Sequence, residues 1–312
     1  MRKTCLNSVF ELAKQDPRVV FIGSDLGPGT LAEMQHEMPE RFFMEGVSEQ
    51  HIIGMAAGLA LDGYIPYVNT IATFLSRRCY EQVAIDLCLQ NLPVRLIANG
   101  GGMVYAPLGP THLATEDMAI MRALPNMGVV APADAEQMAR LMPQTLAHPG
   151  PLYIRLGKGG DAVVTPPESS VSIGQALVLR EPGEVLLVTT GVMVQRALGA
   201  ADILRGEGVE CGVIDLHTVK PLDTSALLRR LPGVRLLVTV EEHVLAGGFG
   251  SAVLEELIDV GASLPAVKRL GIPDRFTVEY GSQDSLLEGF GLQPEPIATS
   301  IRTALASTQG AL

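Results

Sequence analysis

The sequence predicts an α/β protein made of two doubly wound domains with mainly parallel sheets. Short apolar runs alternate with longer stretches of helical periodicity in both halves of the 312 residues. Such alternation is typical of a parallel sheet covered by helices on both faces. Glycine, proline and serine cluster over residues 157–171, which indicates a linker. We therefore expect a first domain over residues 1–160, a linker over residues 161–178 and a second domain over residues 179–312.

The predicted elements of the first half begin with a helix. Apolar residues between Leu6 and Ala13 recur at helical spacing, and the apolar run at residues 18–23 predicts a strand. Further strands are predicted at residues 66–70, 93–98, 128–132 and 152–156. Further helices are predicted at residues 81–90, 115–124 and 134–148.

The second half repeats this alternation. Its strands are predicted at residues 185–190, 210–215, 235–241 and 266–271. Its helices are predicted at residues 194–207, 225–230, 251–259 and 296–306. The Gly-Gly-Phe-Gly of residues 247–250 imitates a dinucleotide-binding fingerprint, but Glu241 and Glu242 at the preceding strand end would repel a pyrophosphate. We therefore predict a tight strand-to-helix turn at these glycines.

Composition and charge exclude several classes of function. The net charge of −11 argues against a nucleic-acid partner, which would require a basic face. The longest uncharged apolar run, residues 52–61, is too short to cross a bilayer, and the N-terminus lacks the apolar stretch of a signal peptide. We expect a cytoplasmic protein with free thiols and no metal ligands of its own. This expectation rests on four cysteines without metal-like spacing, Cys5, Cys79, Cys88 and Cys211.

One carboxylate lies just before a segment that is rich in glycine and alanine. Glu49 is followed by Gln50 and His51 and then by the uncharged residues 52–61. Burial disfavours the ionised form of a carboxyl group and requires a partner for it, while small residues let a flat group approach. The pattern indicates proton exchange with a bound heteroaromatic ring. The alternative is a first-turn glutamate stabilised by the helix dipole.

Three loops carry further candidate side chains. The glycines at residues 100–102 follow a predicted strand, where backbone can approach a ligand closely. His112 is a candidate general acid or base, or a donor to an oxyanion. Phe74 is placed to stack on a ring, and Arg77 or Arg78 to pair with an anion. The alternatives are a flexible surface loop, a structural loop histidine and a core phenylalanine.

A cluster of titratable residues closes a predicted strand of the second half. Glu241, Glu242 and His243 follow one another at the end of the strand. They would lie either at an interface between domains or protomers, or at a solvated strand end. The sequence leaves both interpretations open.

Taken together, these segments resemble the C-terminal half of the transketolase family of thiamine diphosphate enzymes. Residues 46–51 (Gly-Val-Ser-Glu-Gln-His) resemble the family's Gly-(Val/Ile)-x-Glu motif. Later motifs follow in the family's order at residues 109–112, 123–127, 131–134, 150–155 and 215–223. The resemblance implies a pyrimidine-binding domain at 1–160 and a transketolase C-terminal domain at 179–312.

The resemblance also implies a set of cofactor-binding residues. Glu49 would be catalytic and would contact N1′ of the cofactor's aminopyrimidine. Phe74 would stack on that ring, and Arg77 or Arg78 would shape the same pocket. Asp25 is counted with these cofactor-binding residues.

A second implied set of residues would bind the substrate. His112 would be catalytic, because it would hydrogen-bond the substrate oxygen that becomes charged during the reaction. Arg2 and Lys158 match positions where relatives hold a sugar phosphate. Leu108 stands where relatives that act on ordinary ketose phosphates usually carry an aspartate, which indicates a donor with different substituents or stereochemistry.

The family's diphosphate-binding motif does not occur in this sequence. Relatives hold the diphosphate through Mg²⁺ bound by a Gly-Asp-Gly motif, and the sequence contains no Gly-Asp-Gly. The resemblance therefore implies one half of a split enzyme, whose N-terminal partner subunit carries the Mg²⁺ ligands in an α₂β₂ assembly. No nucleic acid or membrane is expected among its partners.

The activity implied is transfer of a two-carbon ketol unit from a ketose or ketose phosphate to an aldose. Three alternatives remain open at this point. They are the β-subunit of a 2-oxo acid dehydrogenase, a carboligase resembling deoxyxylulose-phosphate synthase, and a non-enzymatic scaffold for the partner.

Overall fold

A computed structural model describes residues 1–24 and 28–309 and contains two mainly parallel sheets. The first sheet has seven strands. They are β1 (Val19–Gly23), β2 (Phe42–Met44), β3 (Ile65–Ile71), β4 (Arg95–Asn99), β5 (Gly128–Val130), β6 (Leu152–Leu156) and β10 (Thr218–Lys220). Their order is β10-β5-β6-β4-β3-β1-β2, and only β10 runs antiparallel to its neighbour.

Helices cover both faces of this sheet, so its central strands are buried along their whole length. The α-helices are α1 (Arg2–Gln15), α2 (Ala32–Glu37), α3 (Glu49–Leu61), α4 (Tyr80–Gln82), α5 (Asp117–Ala123) and α6 (Ala135–Thr145). Two π-helical segments, Phe74–Arg78 and Val83–Cys88, flank α4. The Asp134 side chain begins α6 by accepting a hydrogen bond of 2.8 Å from the Gln137 backbone N–H, a common helix cap.

The second sheet has five strands. They are β7 (Leu177–Arg180), β8 (Val185–Thr189), β9 (Cys211–Asp215), β11 (Leu236–Val244) and β12 (Ala266–Ile272). Their order is β12-β11-β8-β9-β7, with β7 antiparallel at one edge. The helices of this half are α7 (Met193–Gly206), α8 (Thr224–Leu228), α9 (Phe249–Asp259), α10 (Gln283–Gly289) and α11 (Pro294–Gln309).

The predicted fold class is confirmed, and most predicted elements occur within a few residues of their expected positions. The glycines at residues 247–250 belong to a strand-to-helix turn, as predicted: Gly247 and Gly248 precede α9, and Gly250 is its second residue. The strands β2, β7 and β10 were not predicted. Each has only three or four residues, too few for alternation or an apolar run to stand out.

The two halves share structure where β10 joins the first sheet. Although β10 follows β9 of the second sheet, it pairs with β5, and the Lys220 ammonium donates to the backbone oxygens of Arg122 and Leu124 at 2.8 and 2.6 Å. These acceptors lie at the end of α5, where cations are favourable. One apolar cluster also includes Val129 of the first sheet and Ile214 of the second. The halves therefore pack as one continuous body along this edge.

A buried carboxyl lies at the same junction. Asp215 ends β9 and is fully buried, and its Oδ2 accepts a hydrogen bond of 2.6 Å from the Gln137 side chain. Burial raises the pKa of Asp215 from 3.8 to about 8. The carboxyl is therefore neutral near pH 7 in the folded protein.

None of the helices in the described residues, 1–24 and 28–309, combines the length and apolar character needed to span a bilayer.

Asp215→Asn is expected to change how stability depends on pH. The folded protein binds a proton at Asp215 between pH 4 and pH 8, where the unfolded chain does not. That contribution is fully present below the unfolded pKa and is lost as pH rises through the folded pKa. Urea unfolding of both proteins should show the wild type losing up to about 1.4 kcal/mol per pH unit relative to the variant between pH 5 and pH 7.

Asp223→Asn is the control. Burial opposes the shift at Asp223, but hydrogen bonds from the Ala176 and Ala226 backbone N–H groups and from the Ser225 hydroxyl hold its pKa below the ordinary 3.8. Its contribution to the free energy of unfolding is present above the unfolded pKa and is lost only at lower pH, so the free energy of unfolding of Asp223→Asn should differ from that of the wild type by a constant amount from pH 5 to pH 7. A constant difference for Asp215→Asn as well would contradict the raised pKa of Asp215.

Candidate active site

The predicted site residues gather at one edge of the first sheet. β2 leads to Glu49, β3 to Phe74, β4 to His112 and β6 to Lys158. These four strands run in the same direction, so their carboxyl ends meet at a common edge. Ligands of open α/β sheets bind at this edge. The sheet thus brings together residues that lie far apart in the sequence.

Glu49 is the first residue of α3 and is 3 % exposed. Its Oε2 accepts a hydrogen bond of 2.8 Å from Arg78 Nη1, and Arg78 is itself half-exposed. A buried carboxylate needs such a partner. Glu49 is therefore a buried carboxylate, and its charged partner Arg78 lies at the surface.

Arg78 also lies over an aromatic ring. Its guanidinium carbon is 4.1 Å from the centroid of the Phe74 ring, and the Phe74 and His112 ring centroids are 5.3 Å apart in an edge-on arrangement. The contacts consequently form one continuous row, which runs from Glu49 through Arg78 and Phe74 to His112.

The residues of this row fit a flat, nitrogen-bearing ring. The Arg78 guanidinium is planar, stacks on Phe74 and donates an N–H to Glu49, and these are the contacts that a heteroaromatic ring would make in the same place. An open groove of about 380 Å³ adjoins the row. It is lined by Thr73, Phe74, Arg77, Arg78 and Thr111.

Arg77 makes different contacts from Arg78. Its Nε forms an ion pair of 3.1 Å with Glu116, and its guanidinium also hydrogen-bonds the Thr73 hydroxyl and, at 3.0 Å, the Leu113 oxygen. Arg77 therefore connects the Phe74 segment to the residues that follow His112. Of the two predicted arginines, Arg78 is the one that contacts Glu49.

The π-helical turn at Phe74–Arg78 positions these side chains, and no pattern in the sequence indicates it. A π-turn accommodates an extra residue relative to an α-turn and is frequent at functional sites. Cys79 closes this turn, and its thiol donates to the Phe74 oxygen at 3.2 Å. Burial, followed by the nearby Glu49 carboxylate, raises the pKa of Cys79 to about 12, so its sulfur stays a thiol.

His112 and Leu108 lie on one loop, each at the end of a short 3-10 turn. His112 is half-buried, and its Nδ1 is 2.9 Å from the Thr111 hydroxyl. Leu108 is 49 % exposed. Gly109 between them has a φ of 77°, which favours glycine, and a Cβ there would overlap the Tyr280 ring.

The two basic residues predicted to hold an anion lie on neighbouring segments. Arg2 begins α1, and Lys158 is exposed just after β6. A Cβ on Gly159 would lie 3.7 Å from the Met1 backbone nitrogen, so these two segments are in contact. Asp25, the remaining predicted cofactor-binding residue, lies outside the described residues.

The glycines at residues 100–102 pack against side chains of the protein, so the ligand-facing interpretation of these residues does not hold. All three are buried, and side chains of the protein fill the space beside them. A Cβ on these glycines would overlap Tyr105, Arg155 and Glu242, respectively. The glycines are therefore needed for packing against the rest of the chain.

Glu241, Glu242 and His243 are buried, with at most 2 % exposure, which favours the interface interpretation over a solvated strand end. Glu242 and His243 hydrogen-bond residues of the first half. Beside them, Arg155 forms a buried ion pair of 2.8 Å with Asp117. Sequence reasoning missed this pair, because nothing in the spacing of the two residues indicates that they meet.

The pair between Glu49 and Arg78 predicts a measurable coupling. Arg78→Met leaves a buried carboxylate without its partner, and Glu49→Gln removes the charge that requires one. In a double-mutant cycle of unfolding free energies we expect a coupling of about 1–2 kcal/mol, below that of a fully buried pair because Arg78 is half-exposed. The exposed pair Lys14–Glu11 is the control, with an expected coupling below about 1 kcal/mol. Equal couplings for the two pairs would contradict this assignment.

Family models match nearly the whole chain. The model for the pyrimidine-binding domain of transketolase matches residues 1–160, and the model for the transketolase C-terminal domain matches residues 174–297. Among solved structures, a split-gene transketolase described as an inactive beta4 tetramer is 35% identical, with a TM-score of 0.87 over 98% of this chain and 97% of that one. A transketolase from Pichia stipitis, 21% identical with a TM-score of 0.78 over 99% of this chain and 46% of that one, shows the same fold.

Curated relatives fall into two groups by length. The 1-deoxy-D-xylulose-5-phosphate synthase of Syntrophotalea carbinolica is 41% identical over 96% of this chain, which spans only 47% of that enzyme. The 6-deoxy-6-sulfo-D-fructose transketolase subunit SqwH of a Clostridium species is 38% identical over 95% of this chain and 92% of that subunit. The chain thus spans about half the length of the synthases that it matches. With both domain models matched in order, the chain belongs to the transketolase family of thiamine diphosphate-dependent enzymes.

Proposed function

We propose that this chain is the C-terminal subunit of a split transketolase, which transfers a two-carbon ketol unit from a ketose or ketose phosphate to an aldose. The observation that carries the proposal is the row of contacts in which a buried Glu49 carboxylate and the Phe74 ring are bridged by a planar cation. This row lies at the sheet edge where family members bind their cofactor. Thiamine diphosphate, when bound, supplies a carbon nucleophile that protein side chains lack.

In this proposal Glu49 and Phe74 receive the aminopyrimidine ring. Phe74 supplies a stacking surface, and Glu49 holds a proton at N1′ of the ring. Arg78 contacts both side chains in this structure, so it moves aside or shares the site when the ring binds. Cys79 behind the pair stays a thiol and takes no part in nucleophilic chemistry.

His112 is proposed to donate a hydrogen bond to the substrate oxygen that gains charge. The Thr111 hydroxyl contacts Nδ1, which orients the ring and leaves Nε2 as the nitrogen for the substrate. The edge-on contact with Phe74 keeps His112 close to the ring-binding surface. Substrate and cofactor would therefore meet between these two side chains.

The donor is proposed to carry an anionic group at its distal end. Arg2 and Lys158 lie on segments in contact and would hold this anion together. The half-exposed Leu108 offers no hydrogen bond to a sugar hydroxyl, so it favours a donor other than xylulose 5-phosphate. A sulfonate such as the one in the name of the Clostridium relative's substrate suits a basic pair as well as a phosphate does.

The partner is proposed to be an N-terminal subunit that carries the ligands of Mg²⁺ and of the diphosphate, in an α₂β₂ assembly. Among the described residues, no group of three or more His, Cys, Asp or Glu side chains is arranged to hold a metal ion. Two relatives that match this chain over almost their full length are named as a subunit and as a split-gene product. Both observations support a second chain.

A second candidate activity is carboligation of the deoxyxylulose-phosphate-synthase type. It is favoured by the 41% identity to the Syntrophotalea carbinolica enzyme. A 2-oxo acid dehydrogenase β-subunit and a non-enzymatic scaffold are the remaining alternatives. The donor distinguishes all of these candidates.

The test is an assay of this chain purified with the product of the neighbouring reading frame, thiamine diphosphate and Mg²⁺. Donor-dependent ferricyanide reduction is measured with ketoses, ketose phosphates and 2-oxo acids. We expect reduction with a ketose donor and none with pyruvate. Activity only with 2-oxo acids would contradict ketol transfer, and product formation from pyruvate and an aldehyde phosphate would establish the synthase-type carboligation instead.

Glu49→Gln in the same assay should lower kcat by about a hundredfold or more, because a positioned acid or base contributes that much. Glu136→Gln is the control, since Glu136 also lies in the first turn of a helix but is exposed. The Glu136 variant should keep wild-type activity. If both variants keep it, Glu49 has no catalytic role and the scaffold interpretation gains support.

A further inference from the structure

The loop that carries His112 is fastened at its base by the second half of the chain. We call residues 103–113 the His112 loop. The Gly102 and Ala114 backbones on either side of it exchange two hydrogen bonds of 2.9 Å, which closes the loop. Compact loops with adjacent ends are frequently functional.

The end of β11 contacts both sides of this closure. Glu242 Oε1 accepts a hydrogen bond of 2.9 Å from the Met103 backbone N–H, at the first residue of the loop. On the other side, the Val244 backbone N–H donates to the Thr115 oxygen at 2.8 Å. Two strand residues of the second half thus hold both ends of the His112 loop.

His243, between these two residues, holds the helix that follows the loop. Its Nε2 accepts a hydrogen bond of 3.2 Å from the Ala119 backbone N–H in α5, and its Nδ1 lies 2.7 Å from the Val244 oxygen. Because Nε2 accepts, Nδ1 carries the hydrogen and donates it to that oxygen. Neutral His243 therefore fixes the start of α5.

Arg155 and Gln283 complete the arrangement. The Arg155 guanidinium donates to the Glu242 backbone oxygen at 3.0 Å and to the Ala114 oxygen at 3.2 Å, so one side chain joins β11 to the loop base. Gln283 donates to Glu242 Oε1 at 2.8 Å and orients that carboxyl. Gly102 leaves room for it, since a Cβ there would overlap the Glu242 carboxyl.

Part of the loop is buried against the second half. Met103, Ala106 and Leu113 belong to the apolar cluster of the second sheet. Leu108 is exposed, and Thr111, which precedes the histidine, lines the groove. The loop therefore packs its apolar residues on the second half and borders the groove through Thr111.

We propose that Glu242 and His243, in the C-terminal half of the chain, are positioning residues that hold the His112 loop in the geometry that the reaction requires. The effect on catalysis rests on the proposed function, whereas the anchoring itself does not. Glu242 and His243 act through Met103 and Ala119 and need not touch substrate or cofactor. The C-terminal domain thereby contributes to the active site through the placement of His112.

Amide hydrogen exchange of the full chain tests the anchoring without any activity. Glu242→Ala leaves the Met103 N–H without its acceptor, and exchange within residues 103–113 should accelerate by about tenfold or more. Glu242→Gln retains an acceptor oxygen and should stay close to the wild type. Glu241→Ala is the matched control, because Glu241 is the preceding buried acid and its carboxylate accepts from Gly250 within the second half. Unchanged exchange in Glu242→Ala, or equal acceleration in Glu241→Ala, would overturn the proposal.

The role in the reaction is tested with the reconstituted two-subunit enzyme. Glu242→Ala should lower kcat by about tenfold, leave the dissociation constant of thiamine diphosphate within about twofold, and be rescued by Glu242→Gln. A parallel loss of cofactor affinity, or a looser loop with unchanged kcat, would overturn the positioning role. If Glu242→Ala fails to fold, His243→Ala is measured instead. It removes both the acceptor of the Ala119 N–H and the donor to the Val244 oxygen, and leaves the Glu242 carboxyl in place. A wild-type complex that is inactive with every donor would overturn the proposed function, while the exchange result would still decide the anchoring.

Discussion

The buried ion pair between Arg155 and Asp117 organises the junction on which the candidate site depends. Arg155 is the second-to-last residue of strand β6, and Asp117 is the first residue of α5. Their 2.8 Å contact is almost fully shielded from water, and the Tyr153 hydroxyl adds a hydrogen bond of 2.8 Å to the same carboxylate. Removing one member of a buried ion pair leaves the other as an uncompensated buried charge, which strongly destabilises the fold. The pair therefore fixes the position of β6 relative to α5. The remaining N–H groups of Arg155 reach backbone oxygens of both halves.

Two sets of contacts lie beside this junction. At the sheet edge, the parallel strands place Glu49, Phe74 and His112 in one row, because the carboxyl ends of the strands lie at the same edge. On the side of the second half, the end of β11 packs against the loop base and the start of α5. The residues at the sheet edge are the candidate chemical groups, and the contacts of β11 hold them in position. The second domain can therefore determine the geometry of the site through residues that need not touch substrate.

The fold class and the burial of Glu49 could be predicted from the sequence, and the reasons are local. Glu49 is followed, after Gln50 and His51, by ten uncharged residues, which predicts a carboxylate beside an apolar interior, and the alternation of strands and helices is visible without long-range information. The predictions that do not hold depend on contacts between distant residues. The ligand-facing interpretation of the glycines at 100–102 is one of them, because Tyr105, Arg155 and Glu242 fill the space beside these glycines. Tertiary packing, which no periodicity encodes, also determines the π-turn at Phe74–Arg78. It likewise determines that Arg78 contacts Glu49 while Arg77 contacts Glu116.

In the proposed split enzyme, this chain supplies one face of the cofactor site and a second subunit supplies the other. Calorimetric titration of thiamine diphosphate with Mg²⁺ into this chain, the partner and their mixture measures whether both faces are needed. We expect binding to the mixture and to neither subunit alone, weakened by about tenfold when the chain carries Phe74→Ala. Comparable binding to this chain alone, or a mixture in which Phe74→Ala makes no difference, would rule out a site shared in this way.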